Sequence, residues 1–172
     1  MRLAHTLLRT IVGALFIGHG TQKLFGWFGG AGIDGTAQTF ENLGLRPGRS
    51  HAVAAGTAEA GGGTLFVLGV ANPLAAALIS GTMLTAIRRV HARNGPWVTD
   101  GGFEYNLVLI AAALALAAPR SAGDDARSEW MWALVSLLAG TAGAVGAELI
   151  ARHEEEASEV HEFASPPSAV PA

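Results

Sequence analysis

Cysteine is absent from all 172 residues. That excludes disulfides, thiolate nucleophiles, cysteine-ligated zinc, cysteinyl iron–sulfur clusters and any dithiol relay. Charge is the second shortage. Asp, Glu, Lys and Arg make up 15% of the chain, against about 25% in an ordinary soluble domain. With 11 basic residues against 14 acidic ones and a formal net charge of -3, the chain lacks the positive surface of a nucleic-acid-binding domain, so no nucleic-acid partner is expected. What remains is apolar: half of the residues are hydrophobic and 23 more are glycine. The mean hydropathy is +0.35. This is the composition of a membrane protein, in a chain the size of one ordinary domain.

The apolar residues gather into five runs, at 3–24, 51–70, 73–90, 103–118 and 130–150. Lipid offers the backbone no hydrogen-bond partner, which leaves helices or closed barrels as spanning structures. Runs of about 16 to 22 residues suit transmembrane helices and are too long for barrel strands. The expectation is therefore an all-α, polytopic transmembrane helical bundle of five spans. Its fourth span is thin enough to need tilt or local bilayer thinning. The first run follows the basic Arg2 without a clear small-residue cleavage site, and is read as retained. Residues 25–50 open with FGWFGGAGIDG, a structured or interfacial loop whose Trp27 and Phe28 suit an aromatic belt. Asn72-Pro73 signals a tight turn, so the second and third runs form an antiparallel hairpin.

Residues 119–129 read as a polar connection, and residues 151–172 as an acidic, flexible tail. The tail holds five of the 14 acidic residues together with Arg152, so the first 150 residues keep 10 basic and 9 acidic, a net of +1. Alternating spans put Lys23, Arg46, Arg49, Arg88, Arg89, Arg93 and Arg152 on one side and Arg2, Arg120 and Arg127 on the other. The positive-inside rule then favours a cytoplasmic tail and an external N-terminus.

A few charges fall inside the runs. Glu59 lies about 12 Å along its helix from His51, and His19 about 7.5 Å from Leu24, measured from the same membrane side. Lys23 follows His19 by four residues, on one helical face. Arg88 and Arg89 close the third run and Glu104 opens the fourth, so all of these could converge in one polar chamber. A buried carboxylate must be neutral or matched with a cation. Glu59 therefore reads either as a proton-handling or head-group-binding residue, or as half of an ion pair with Lys23 or an arginine that fixes helix register. His19 reads as an acid, base or hydrogen-bond donor, or equally as a satisfied core histidine. Arg9 is expected to snorkel outward. The glycines at 13, 20, 56, 61–63, 140, 143 and 146 suit close helix packing, and GWFGGAG lacks the lysine and Ser/Thr of a phosphate-binding loop. No local spacing supports a metal site.

Three segments together, HGTQKLFGWFGGAG, AxxxGxxEAGGGTLFVLG and GFEYNLVLIAAALAL, resemble the DoxX family over roughly residues 5–118. His19-Gly20 and Lys23 to Gly26 fit the end of that family's first helix, Glu59 with Gly62 its second, and Glu104-Tyr105 the opening of its fourth. The resemblance implies a multi-pass bacterial inner-membrane protein with a four-helix core over residues 1–118, here followed by a fifth span at 130–150. Some relatives look like membrane subunits of a quinone-linked oxidoreductase.

On this basis the expected function is that of a membrane subunit supporting quinone-linked redox chemistry. Glu59 and His19 would handle protons, Lys23, Arg88 and Glu104 would hold the quinone, and electrons would arrive from a redox partner protein or bound cofactor. Homo-oligomerisation is open. A non-catalytic scaffold or assembly protein and a small-solute transporter are the competing readings.

Overall fold

The computed structural model describes residues 2–118 and 126–164, and every regular element among them is helical. Helix α1 (Arg2–Phe25) leads through a single 3-10 turn at Trp27–Gly29 into α2 (Gly32–Asn42). The long α3 (Gly48–Leu68) and α4 (Asn72–Ala86) follow as a hairpin. Then come α5 (Glu104–Ala115) and α6 (Ala126–Ala164). The loop read between residues 25 and 50 thus contains a short helix. Its sequence GIDGTAQTFEN turns Thr36 inward, and Asp34 sits in its first turn, where a negative charge is favoured.

The hairpin turn follows from three residues. Gly69 ends α3 at φ 69°, a left-handed conformation that glycine adopts without cost. Its N–H and that of Val70 close back onto the Leu65 carbonyl at 2.9 and 3.1 Å. Pro73 falls in the first turn of α4, where a missing N–H is harmless. Asn72, 2% exposed, donates from Nδ2 to the Ala118 carbonyl at 3.3 Å and ties the turn to the end of the α5 segment.

Packing proceeds by small faces. α1 lies along α3, while α4 contacts α3, α5 and α6. A Cβ on Gly13 would fall 2.6 Å from the Gly63 carbonyl oxygen, and one on Gly63 would fall 2.5 Å from that of Gly13, so the two backbones touch. Gly140 of α6 meets α4 in the same way, where a Cβ would lie 2.7 Å from the Ala77 carbonyl. Gly61, Gly143 and Gly146 face open space instead. The apolar core, including Phe16, Phe66, Ile79 and Leu116, fills the volume between α1, α3, α4 and α5.

Two expectations change. The fourth apolar run yields a helix of only 12 residues, about 18 Å long at 1.5 Å per residue, well short of a hydrocarbon core of about 30 Å. Of the run's remaining residues, Leu116 and Ala117 are spent as buried core. Among the described residues one helical stretch, Arg127–Ala157, is both long and apolar enough to cross a membrane. α1 and α3 have the length but carry Arg9 and Lys23, or His51 and Glu59, and α4 is 15 residues before its winding changes. The helix that carries the fifth run starts earlier, at Ala126 in the expected polar connection, and continues through Ala164, into the segment expected to be flexible. Neither glycine nor proline occurs between Gly146 and Pro166, and Glu and Ala are strong helix formers.

Candidate functional site

Close packing of α1 on α3 brings together a charged pair whose carboxylate is buried. Gly20 presents its backbone to Gly56 and Ala60, leaving no room for a side chain there. One turn beyond it, Lys23 extends from the last turn of α1. Its Nζ donates to Glu59 Oε2 at 2.6 Å, with the two side chains 26% and 5% exposed. Glu59 rises from the middle of α3, between the buried Gly56 and Gly62-Gly63. Position matters chemically. A lysine in the last helical turn is favoured by the helix dipole, and a carboxylate this buried needs a cation within hydrogen-bonding reach. α2 closes the region from one side, its buried Thr36 donating to the Lys23 carbonyl at 3.5 Å.

The remaining expected site residues do not converge on this pair. His19 is exposed, with its ring edge-on to Phe16 at a centroid distance of 6.3 Å. Glu104 accepts from the Val98 backbone N–H at 2.8 Å and so braces the 95–104 loop. Arg88 donates to Glu148 of α6 at 3.3 Å. The single chamber therefore divides. Lys23 and Glu59 form one polar centre between α1 and α3, and Arg88 belongs to another between α4 and α6. His51 and His91 each face a backbone carbonyl, of Arg46 at 3.2 Å and of Gly101 at 2.7 Å.

Arg9 departs furthest from expectation. It does not snorkel outward but is 5% exposed, and its guanidinium lies where a side chain on Gly69 would stand. The last carbonyls of α3 give that cation a favourable electrostatic setting.

The second polar centre has members that the charge pattern alone did not single out. Glu148 is approached by Arg89 Nη2 at 2.6 Å, Arg88 Nη2 at 3.3 Å and Arg152 Nε at 3.5 Å. A signal for it exists in the sequence: Glu148 is the sole acidic residue within 130–150, and it stands four residues before Arg152. A shallow apolar groove of about 790 Å³ also runs along the outer face of α3, lined by Ala54, Thr57, Gly61, Thr64 and Leu78. Glu59 points away from it, toward α1.

The helices that carry the Lys23–Glu59 pair coincide with a known family. Residues 4–92 match DoxX. The chain belongs to the DoxX family. Among its relatives, the protein of Bacillus subtilis (strain 168) named "Putative oxidoreductase CatD" is 33% identical over 114 residues, covering 66% of this chain and 78% of that one. No solved structure gives a significant match. As a DoxX-family chain it is a membrane protein, and its α6 supplies a helix able to cross the bilayer.

Proposed function

We propose that this DoxX-family protein is a multi-pass subunit of the bacterial inner membrane that supports quinone-linked redox chemistry at Lys23 and Glu59. The 2.6 Å pair, buried at its carboxylate and partly open at its amine, is the observation that carries the reading. An ammonium has three N–H donors. With one donor on Glu59, Lys23 keeps two for a carbonyl oxygen arriving at the open side. A bound quinone would supply two-electron, two-proton chemistry, with electrons from a redox partner. Lys23 would hold its carbonyl, stabilise negative charge developing on that oxygen, and pass a proton there. Glu59, a carboxylate in the pair, would first take up a proton and then return it to Lys23. His19, exposed one turn earlier on α1, would connect the pair with protons from the surrounding water. Arg88 and Glu104 are engaged by Glu148 and Val98 and take no part.

The multi-pass reading draws support from where apolar side chains point. Leu3, Leu7, Ile11 and Leu15 of α1 are 49–73% exposed along one stripe. Leu107 and Val108 of α5 and Leu134 and Leu138 of α6 are likewise exposed. Water-soluble monomers rarely leave such continuous apolar surface uncovered. The naming of that relative as an oxidoreductase favours redox chemistry over transport.

The test is purification in nanodiscs with native lipids, followed by quinone extraction and assay of quinone reduction with the co-purifying partner. Glu59→Gln should lower partner-dependent reduction at least about a hundredfold, the low end of what losing a proton-transfer group costs. Absence of bound quinone together with unchanged reduction by Glu59→Gln would sink the proposal. The scaffold alternative is favoured by the extension of α6 to Ala164 beyond its apolar segment. It expects partner recovery to be lost when residues 151–172 are deleted.

A further inference from the structure

Three arginines share one carboxylate where α4 meets α6, apart from the quinone reading and independent of it. Arg89 is the structural member. Its Nη2 lies 2.6 Å from Glu148 Oε2, its Nη1 donates to the Leu43 carbonyl at 3.0 Å, and its side chain is 20% exposed. Arg88 and Arg152 differ. Both approach the other oxygen, Oε1, at 3.3 and 3.5 Å, with side chains 61% and 60% exposed. Their contacting nitrogens are thus no farther apart than two hydrogen-bond lengths. Three guanidinium groups around one carboxylate leave positive charge in excess.

The backbone is wound to produce this arrangement. α4 passes into a π-helical turn over Ile87–His91, a rare winding that recurs at functional sites. It allows the consecutive Arg88 and Arg89 to reach the same carboxylate. Depth adds the second constraint. Trp130, 78% exposed, suits one membrane interface. Glu148 lies 18 residues further along α6, about 27 Å at 1.5 Å per residue, which matches the hydrocarbon thickness of about 30 Å. The arginines therefore stand at the level of lipid phosphates. The exposed Glu154, Glu155 and Glu156 follow two to four residues beyond Arg152 and bound the site on its water side.

We propose that Arg88 and Arg152, positioned by Arg89 and Glu148, bind the phosphate of an anionic phospholipid headgroup. Guanidinium donors match phosphate oxygens in a bidentate geometry that an ammonium lacks.

Native mass spectrometry of the full chain, in micelles holding equal phosphatidylglycerol and phosphatidylcholine, tests this. The unaltered protein should retain one phosphatidylglycerol per chain in preference to phosphatidylcholine. The Arg88→Gln/Arg152→Gln variant should lose that retention at least about tenfold, equivalent to about 1.4 kcal/mol. Arg49→Gln should not change it, since that guanidinium is an exposed partner of Asp34 at 2.6 Å. Arg88→Lys/Arg152→Lys keeps the charges and should preserve the lipid preference with weaker retention. Equal retention of the two lipids by the unaltered or the lysine variant, or undiminished phosphatidylglycerol on the glutamine variant, would overturn the proposal. Displacement of the lipid by inorganic phosphate would assign the site to soluble phosphate instead.

Discussion

A lysine and a carboxylate brought together in a helical bundle must each give up water, and their attraction repays this only with good geometry. Lys23 and Glu59 have that geometry at 2.6 Å, yet a pair of apolar side chains of similar volume would hold α1 to α3 as well or better. Stability and chemistry can therefore be separated at this one position. Lys23→Met alone strands the carboxylate and should destabilise the protein by about 3 kcal/mol, read as a lowered thermal midpoint in nanodiscs. Lys23→Met/Glu59→Met removes both charges and should recover most of that loss. Quinone-dependent activity should stay absent in the double variant if the pair is functional. Should activity return with stability, the pair serves only to hold the helices. At Gly69 the cost is steric: its φ of 69° and the guanidinium of Arg9 both oppose a side chain. Gly69→Ala is thus expected to destabilise the α3–α4 turn, and hydrogen exchange of the Val70 amide reports it directly.

Helix pairs in this protein approach through glycine, and each glycine's neighbours decide its worth. Gly63→Ala would place a methyl 2.5 Å from the Gly13 carbonyl, so α1 and α3 must separate, at a cost of about 1–3 kcal/mol. Gly61→Ala, two residues earlier on the open face of the same helix, should instead stabilise by about 0.5–1 kcal/mol through helix propensity. Thermal midpoints of the two variants should therefore move in opposite directions, and movement together would refute the packing account. The sequence revealed that glycines would line helix contacts, because their spacing is local, but not which face is covered, because that depends on a partner helix distant in the chain. The same distinction explains the site. Glu59 and Lys23 were legible as a possible pair from depth and helical face. Arg88 was also legible as a charge near a helix end, but its partner Glu148 is 60 residues away. The π turn that aims Arg88 there has no composition signal. The fourth apolar run promises a longer helix than α5 because apolarity marks burial equally well in lipid and in protein, and its Leu116 and Ala117 are buried in protein.

For the whole molecule the decisive question is how often the chain crosses the bilayer, and the arrangement of charge supplies a test. The antiparallel succession α1, α3, α4 places Lys23 and Arg88 at one end of the bundle, and the Arg9–Gly69 contact at the other. Contact of Arg88 and Arg89 with Arg152's partner Glu148 puts the far end of α6's apolar segment with the first group. Basic side chains are retained on the cytoplasmic face, so this end should face the cytoplasm and the start of α1 the outside. The absence of native cysteine makes each introduced thiol unique. Thr99→Cys and His5→Cys are at exposed positions toward opposite ends of the bundle. In intact cells a membrane-impermeant maleimide should label His5→Cys and leave Thr99→Cys unmodified until the membrane is permeabilised. Labelling of both in intact cells would place both ends outside and reduce the protein to a bundle held at one surface, with α6 as its anchor. The reverse pattern would keep the multi-pass bundle but invert it, and would put Lys23, which lies at the Thr99 end, within reach of protons from outside rather than from the cytoplasm.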